Sequence, residues 1–425
     1  MSGTVHHEYT ALRTVADANV KRKHILADML DAPIVNRAVL LRRMSHWPGY
    51  LGEVFVSGMD KLPPREESAP ILAFSHKKIH DVWALLEFAL SRPLDSFHNI
   101  VVIVMAGVHT PMYVWLYMLP AWFKRGIFHY PALLVARFLG RLMTNFFRTI
   151  HTHPVFRDPA DMPPTEAEYN ETLAGGRLLK MDYAAFRTYA NRTTMKSVVD
   201  VQKIMSTENC SLLIAPEGKY CHDGSVAPTL DLLGVVALRK KRDTCPLSLS
   251  YDDLCPDERG RIDAFFFVGD MIAPPVHKLR INAYLRRVRK ILQKNNTVTA
   301  SHLIAAVLHD YMEAGRVFTR DDLRRDLGER IRRTLDARVP CDPGLVGEPY
   351  VDERLARFWN AYGERWFETL PDGYRVDPSG VARYDEEERT VNDLLWNRNH
   401  LVHIPQVRDE AGTSRLRSVI AWLRD

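Results

Sequence analysis

A histidine and an aspartate stand five residues apart, at His76 and Asp81, between two apolar segments. Residues 71 to 74 before them are typical of a buried strand, and residues 82 to 90 after them are typical of a buried helix. Loops that join a strand to a helix often carry reactive side chains on a rigid support. A neutral imidazole there could take a proton from a hydroxyl while the carboxylate fixes its tautomer. The alternative is a surface histidine beside a helix-capping aspartate, because a pair at this spacing is common by chance.

Three further segments follow downstream in a fixed order. A short run ends at Arg157, and an apolar run over residues 212 to 215 leads into Pro216-Glu217-Gly218. A later apolar segment, typical of a strand, begins with Pro246. Together with the His76–Asp81 pair, these segments resemble the sequence blocks of the glycerolipid acyltransferases. Four blocks in register are far more specific than any one of them.

The resemblance implies an α/β fold similar to that of the glycerol-3-phosphate acyltransferases, with a mixed sheet flanked by helices and with helical N-terminal and C-terminal regions. The alternation of apolar strands and helices along the chain independently favours a mixed or largely parallel sheet. A proline pair at residues 274 and 275 marks a boundary. We therefore expect an N-terminal helical region over residues 1–50, an acyltransferase domain over 51–275 and a C-terminal helical region over 276–425.

The resemblance also implies a reaction and its residues. A fatty acyl group would pass from the thioester of acyl-CoA or acyl-carrier protein to a hydroxyl of glycerol 3-phosphate, with no other cofactor and no metal. A hydroxyl is a poor nucleophile at neutral pH, so a base must remove its proton. The catalytic residues would be His76 as that base and Asp81 as its partner, with His80 a rival base beside Asp81. The substrate-binding residues would be Ser75, Lys77, Arg157, Glu217, Gly218 and Lys219.

Two departures from the family pattern concern the acceptor. Arg157 matches the arginine that grips the acceptor phosphate, but the small residue, arginine and serine that follow Pro-Glu-Gly in the family are Lys219-Tyr220-Cys221 here. Lys219 or His222 would have to replace the missing arginine. Ser75 is similar to the glycerol-3-phosphate branch and differs from the lysophosphatidate branch. Acylation of a lysophospholipid or another hydroxylated lipid stays open, as does a lipid-binding homologue that has lost catalysis.

A segment near the end of the chain resembles a late segment of the glycerol-3-phosphate acyltransferases. It begins with the aromatic residue Trp396, and Arg398, Asn399 and His403 hold the matching positions. The match is short, but it follows three predicted helices, as it does in that branch. The resemblance therefore extends loosely over residues 51 to 403.

The composition limits the classes of molecule that the protein is expected to bind. The net charge of +5 suits anionic small substrates or lipid headgroups, and no basic and aromatic platform for nucleic acid is present. Five cysteines without paired spacing argue against a disulfide framework and favour a reducing compartment. No zinc pattern and no signal peptide is visible. We expect an acyl thioester, a small phosphorylated acceptor and a membrane surface as partners, on the cytoplasmic side of the membrane.

Three segments of the sequence are candidates for contact with a membrane. The uncharged run over residues 100–123 is long enough for a span, but prolines and a glycine interrupt it and its start is typical of a strand. We favour surface attachment instead, with core packing as the alternative for the aromatic residues Trp115, Tyr117, Trp122 and Phe123. A helix over residues 131–150 carries Leu134, Phe138 and Leu142 at helical spacing. The basic amphipathic helix that follows residue 280 either contacts an anionic membrane or docks on the core.

Overall fold

The structure is a computed structural model that describes most residues of the chain. Those residues are 8–11, 51–64, 66–78, 81–90, 100–105, 110–115, 119, 121–124, 126–149, 152–156, 163, 165–172, 178–218, 223–384 and 390–409.

One eight-stranded sheet forms the centre of the described structure, and two small hairpins lie near the end of the chain. The sheet strands are β1 (Thr10–Ala11), β2 (Leu51–Ser57), β3 (Ile71–Phe74), β4 (Ile100–Met105), β5 (Thr152–Val155), β6 (Ser211–Ile214), β7 (Thr244–Tyr251) and β8 (Ile262–Val268). The hairpin strands are β9 (Phe367–Leu370) with β10 (Gly373–Val376), and β11 (Ala382–Tyr384) with β12 (Thr390–Asn392).

The helices surround this sheet and build the C-terminal region. They are α1 (Asp81–Leu90), α2 (His129–Thr149), α3 (Glu166–Thr172), α4 (Tyr183–Thr207), α5 (Asp231–Lys240), α6 (Ile281–Lys294), α7 (Ala300–Glu313), α8 (Arg320–Asp336), α9 (Glu348–Trp366) and α10 (Asp393–Asn399). Single helical turns occur at Met59–Lys61, Pro111–Tyr113, Ala121–Lys124, Gly126–Phe128, Lys278–Arg280, Pro343–Val346 and Pro405–Arg408.

The strand order is β1-β2-β8-β7-β3-β6-β4-β5. The five strands from β7 to β5 are mutually parallel, whereas β8 is antiparallel to β7. Central parallel strands are covered on both faces, and therefore their sequences are continuously apolar rather than alternating. All four residues of β3, Ile71–Phe74, are buried accordingly. The expected mixed sheet flanked by helices is confirmed.

The two faces of the sheet have separate cores. Leu72 and Phe74 pack in one core with α1, while Ile71 and Ala73 pack in the other with α4, α5 and α6. Alternate residues of a strand point to opposite faces, so these two sets identify the helices on each side. The five parallel strands all end at the same side of the sheet, which is called its carboxyl edge below.

Helix α6 is the basic amphipathic helix that the sequence predicts. Its apolar stripe, including Tyr284, Val288 and Leu292, is buried against the sheet, and Arg286 and Arg287 face solvent. The core-docking alternative is therefore confirmed for this helix.

The apolar run that starts at Ile100 divides among different elements. Its first part is β4, inside the sheet, and no helix of the described structure is long and apolar enough to cross a membrane. The Trp115 side chain is buried in a small core with Phe156 and Phe186. The expected surface role is therefore wrong for Trp115, because burial of a large aromatic ring outweighs its use at an interface. Tyr117 and the side chain of Trp122 lie outside the described residues.

The structure describes only a few residues of the predicted N-terminal region but most of the predicted C-terminal region. Residues 8–11 belong to the predicted N-terminal helical region, but Thr10–Ala11 pair with β2 as an edge strand; residues 12–50 lie outside the described part. Helices α7 to α10 share a C-terminal core with β9 and β10, and this core also takes in Leu254 from the end of β7. The domain boundary at residue 275 stays a prediction.

A buried ionic group joins the C-terminal helices to the sheet. Arg354 on α9 donates to the Asp263 carboxylate over 2.5 Å and lies 3.4 Å from Asp252. The backbone N–H and hydroxyl of Ser301, in the first turn of α7, donate to Asp252 over 2.8 and 2.6 Å. Burial raises the pKa of Asp252, and the Arg354 charge opposes that rise. A single guanidinium thus compensates two carboxylates in the interior.

Replacing Arg354 with methionine should destabilise the protein by about 3–5 kcal/mol, because two buried carboxylates lose their counter-charge. Urea unfolding at pH 7 measures this change. The matched control is Arg324→Met, which breaks a pair with Asp352 whose side chains are 51% and 49% exposed and should cost less than about 1 kcal/mol. Equal losses of unfolding free energy in the two variants would contradict the role of Arg354 as the counter-charge of two buried carboxylates.

Candidate active site

The two sequence blocks around His76 and Glu217 meet because their strands are neighbours. β3 leads directly into His76, and β6 leads into the turn that carries Glu217. Since β3 and β6 are paired in parallel, their carboxyl ends lie at the same edge of the sheet. The backbone N–H of His76 donates to Oε2 of Glu217 over 3.1 Å. Residues 141 positions apart in sequence are therefore in direct contact.

His76 and Asp81 form a hydrogen-bonded pair. Nδ1 of His76 lies 2.7 Å from Oδ2 of Asp81. An ionised carboxylate only accepts, so Nδ1 carries the proton and Nε2 carries the lone pair. The His76 side chain is 24% exposed and the Asp81 side chain only 2%. The pair thus combines a fixed tautomer with an imidazole that solvent reaches.

The Asp81 carboxylate is held by four donors. Besides His76, the backbone N–H of Lys77 donates to it over 2.6 Å and that of Lys78 over 3.1 Å. The Tyr251 hydroxyl donates to Oδ1 over 2.7 Å. A buried carboxylate is costly unless such donors satisfy it, and each donor also fixes its position. Asp81 therefore anchors the backbone of Lys77 and Lys78 together with the imidazole of His76.

Glu217 is buried behind this turn. Burial raises the pKa of Glu217 to about 7, while the hydrogen bond from His76 and the charge of Lys77 oppose the rise. Gly218 follows with a φ of 70°, in the left-handed region that side chains other than glycine rarely adopt. Its N–H donates to the Ala215 carbonyl over 3.0 Å and closes the turn. The glycine is thus required for the turn that places Glu217.

Ser75 and Lys77 lie inside the protein rather than at its surface. The Ser75 hydroxyl accepts a hydrogen bond from the backbone N–H of Leu249 over 2.9 Å and is fully buried. Lys77 is 2% exposed. Their burial argues against the direct substrate contact expected from sequence. Side chains on either side of His76 along an extended segment point away from it, so both support the loop instead.

Lys77 points towards two stacked histidines of the C-terminal core. The rings of His302 and His400 are parallel, with centroids 4.5 Å apart. Burial, and secondarily the positive charge of Lys77, hold the pKa of both histidines well below the ordinary value. Neutral rings let the C-terminal core approach a buried ammonium without repulsion.

Lys78 joins the turn that carries His76 to the C-terminal segment that begins with Trp396. Its Nζ lies 2.6 Å from Asp253 and 4.9 Å above the centroid of the Trp396 ring. Ammonium groups are attracted to the faces of aromatic rings. The segment at residues 396–403 therefore contacts the turn that carries the His76–Asp81 pair.

The same segment also contacts the chain beyond Pro-Glu-Gly. The Asn399 amide donates to the Asp223 carbonyl over 2.9 Å. Gly224 lies so close to α10 that a Cβ there would be 2.0 Å from the Trp396 carbonyl oxygen. Arg398 pairs with Asp409 inside the C-terminal region. Asn399 thus joins two blocks, whereas Arg398 acts within one.

Several predicted site residues fall outside the described residues. These are Arg157, Lys219, His80 and His222. β5, whose last residue is Val155, is three strand positions from β3 in the sheet. Three spacings correspond to about 14 Å. The expected phosphate contacts of Arg157 and Lys219 stay predictions.

Sequence reasoning missed Tyr251, Asp253 and Trp396 as site residues. Tyr251 ends the strand that begins near Pro246, so its position was visible but its partner was not. Only the pairing of β7 beside β3 brings the Tyr251 hydroxyl to Asp81. An aromatic residue with a polar tip at the end of a predicted central strand was the available signal.

The fold and the site define an α/β protein with a histidine–aspartate pair at the carboxyl edge of a mostly parallel sheet. Scans against protein-family profiles and curated proteins give no match. A search of solved structures finds the 1-acyl-sn-glycerophosphate (LPA) acyltransferase, PlsC, from Thermotoga maritima, with 14% identity and a TM-score of 0.34. The match covers 66% of this chain and 87% of that one. A likeness this loose carries no argument about activity, and the fold class rests on the strand order and packing.

No group of three or more histidine, cysteine, aspartate or glutamate side chains within the described ranges is arranged to hold a metal ion.

Glu217→Gln should change the pH dependence of stability. A carboxyl whose pKa rises from 4.5 to about 7 on folding binds more protons folded than unfolded, so wild-type stability falls as pH rises through this window. Glutamine carries no such charge and can still accept from the His76 N–H. The variant should therefore gain about 3 kcal/mol relative to wild type between pH 4.5 and pH 8. Urea unfolding across that range gives the difference, and a constant difference would contradict the raised pKa.

Proposed function

We propose that the protein is an O-acyltransferase of the glycerolipid type that works at a membrane surface. It would transfer a fatty acyl group from the thioester of acyl-CoA or acyl-carrier protein to a hydroxyl of glycerol 3-phosphate. The single observation that carries this proposal is the His76–Asp81 pair, 2.7 Å apart, with the imidazole partly exposed at the carboxyl edge of the sheet. The order of the sequence blocks supplies the choice of acyl transfer.

The chemistry follows from the tautomer. Nε2 of His76 takes the proton of the acceptor hydroxyl while the oxygen forms a bond to the thioester carbonyl carbon. The carbon–sulfur bond then breaks, and the imidazolium returns its proton to the departing thiolate. The products are an ester and a free thiol, so atoms and charge balance without a covalent enzyme intermediate. Asp81 stabilises the imidazolium that forms between the two steps.

The donors to Asp81 give this base its support. Tyr251 and the backbone N–H groups of Lys77 and Lys78 hold the carboxylate in position beside the imidazole. Lys78 is held in turn by Asp253 and Trp396. A base positioned in this way loses little entropy when the substrates arrive.

His76→Ala should reduce acyl transfer by about a hundredfold or more, because it removes the proposed general base. Tyr251→Phe should reduce kcat by about tenfold with little change in either KM, because it removes one donor that positions Asp81. Thiol release from acyl-CoA in the presence of glycerol 3-phosphate measures both rates.

The control is Tyr284→Phe, which also removes a buried tyrosine hydroxyl, one that pairs with Thr244. This variant should keep wild-type kcat. Thermal unfolding establishes that each variant is folded. Near-wild-type turnover by folded His76→Ala protein would rule out the mechanism, and no thioester consumption by wild type would favour a lipid-binding protein without catalysis.

The acceptor phosphate is assigned to Arg157, on the resemblance. A charge-assisted hydrogen bond contributes about 1.5–3 kcal/mol, so Arg157→Ala should raise the KM for glycerol 3-phosphate roughly ten- to a hundredfold. The KM for acyl-CoA should stay nearly unchanged. Lys219→Ala should have a smaller effect, because an ammonium cannot form a bidentate contact.

Kinetics with glycerol 3-phosphate, glycerol and lysophosphatidate, followed by mass spectrometry of the products, identify the acceptor. Arg286→Ala, an exposed arginine on α6, is the control. If wild type does not prefer a phosphorylated acceptor, the phosphate assignment is wrong and only acyl transfer survives. A preference for lysophosphatidate over glycerol 3-phosphate would move the acceptor to the lysophospholipid class.

A further inference from the structure

Helix α2 exposes a continuous row of large apolar side chains. Tyr130, Leu134, Phe138 and Leu142 follow one another at every fourth position and are 66%, 65%, 64% and 52% exposed. Residues four apart lie on the same face of a helix. Ile127, in the helical turn just before α2, is 86% exposed. Single exposed apolar residues are ordinary, but a contiguous row on one face marks an interaction surface.

The charged residues that α2 itself contributes beside this row are all positive. Arg137 and Arg141 stand three residues after Leu134 and Phe138, so they form a parallel row along one border of the apolar side chains. The sequence of α2 contains no aspartate or glutamate over its 21 residues. An apolar face with a basic border and no acidic residue is complementary to an anionic lipid surface.

α2 lies on the return path of the chain between two parallel strands. β4 and β5 are parallel, so the chain between them returns from the carboxyl end of β4 to the amino end of β5, and α2 is the last helix before β5. Thr149, the last residue of α2, stands just before Thr152, the first of β5. The helix therefore ends near the amino edge and begins towards the carboxyl edge, which carries His76. At 1.5 Å per residue its length of about 32 Å exceeds the height of the sheet.

We propose that the exposed face of α2, defined by Ile127, Tyr130, Leu134, Phe138 and Leu142 with Arg141 at its border, lies on the surface of an anionic bilayer. The inference deepens the membrane part of the proposed function by naming the attachment surface. The apolar side chains enter the boundary between headgroups and acyl chains, and Arg141 contacts lipid phosphate. The helix lies along the membrane and does not cross it.

This arrangement has a consequence for substrate access. Long-chain acyl groups partition into the bilayer, whereas a phosphorylated acceptor stays in water. A face of α2 on the membrane brings the carboxyl edge of the sheet to the boundary where the two substrates meet. Helix α6, the other amphipathic candidate, cannot serve in this way because its apolar stripe is buried against the sheet.

The test measures binding of the full chain to vesicles by sedimentation, with phosphatidylcholine alone and with added phosphatidylserine. The triple variant Leu134→Gln, Phe138→Gln and Leu142→Gln should lower the affinity for anionic vesicles by a factor of about ten or more. Arg141→Ala should weaken binding to anionic vesicles about fivefold and leave binding to neutral vesicles unchanged, since one basic side chain near the surface contributes about 1 kcal/mol.

Matched controls are available on the same protein. Val276 and Leu279 are 89% and 90% exposed, so their replacement with glutamine removes comparable exposed apolar surface elsewhere. Arg286→Ala removes an exposed arginine from α6. Both controls should bind vesicles like wild type. The His76→Ala protein should also bind normally, which separates failure of the membrane proposal from failure of the proposed catalysis.

Three outcomes would overturn the proposal. Equal weakening by the α2 variants and the controls would show that no particular face binds. A large loss of thermal stability in the triple variant would show that another part of the chain covers α2. Loss of a dimer in sedimentation velocity, with vesicle binding unchanged, would assign the face to a second copy of the chain.

Discussion

The Asp81 carboxylate is the group on which the candidate site depends. It is buried, and its two oxygens accept from the His76 imidazole, two backbone N–H groups and the Tyr251 hydroxyl. A buried carboxylate needs such donors, and in satisfying them it fixes the turn after β3, the imidazole tautomer and the start of α1. Removal of the carboxylate would therefore affect the loop as well as the base. For this reason, replacement of His76 is the cleaner test of catalysis.

The C-terminal region is part of the site rather than an appendage. Trp396 lies over Lys78, Asn399 holds the Asp223 carbonyl, and neutral His302 and His400 lie close to the buried Lys77. Arg354 joins the same region to Asp252 and Asp263, beside the carboxyl end of β7, where Tyr251 reaches Asp81. These contacts fall on both sides of the predicted boundary at residue 275. Such coupling explains why a motif near residue 400 accompanies motifs more than 300 positions earlier.

The parallel strands bring the residues of the candidate site together at one edge of the sheet. Both faces of the sheet are covered, so the carboxyl ends of its strands are where side chains can meet substrate. α2 then extends from that edge with an apolar face towards solvent. The His76–Asp81 pair and the proposed membrane surface are thereby related through one helix.

The sequence by itself determined central strands such as Ile71–Phe74, because a short, continuously apolar run before a polar turn is typical of a buried strand. It did not indicate β8 or the paired strands β9 to β12, which lie where helices or no element were expected. It also identified the His76–Asp81 pair, because three further sequence blocks follow it in a fixed order. Tertiary structure alone decided the partners of that pair, because Tyr251 and Glu217 reach it only through strand order.

The tertiary structure also decided which amphipathic helix is exposed. The sequences of α2 and α6 both show an apolar stripe beside arginines, but burial depends on neighbouring elements far away in the chain. The burial of Ser75, Lys77 and Trp115 was hidden for the same reason: a residue type indicates chemical capacity, whereas the direction of its side chain is set by packing.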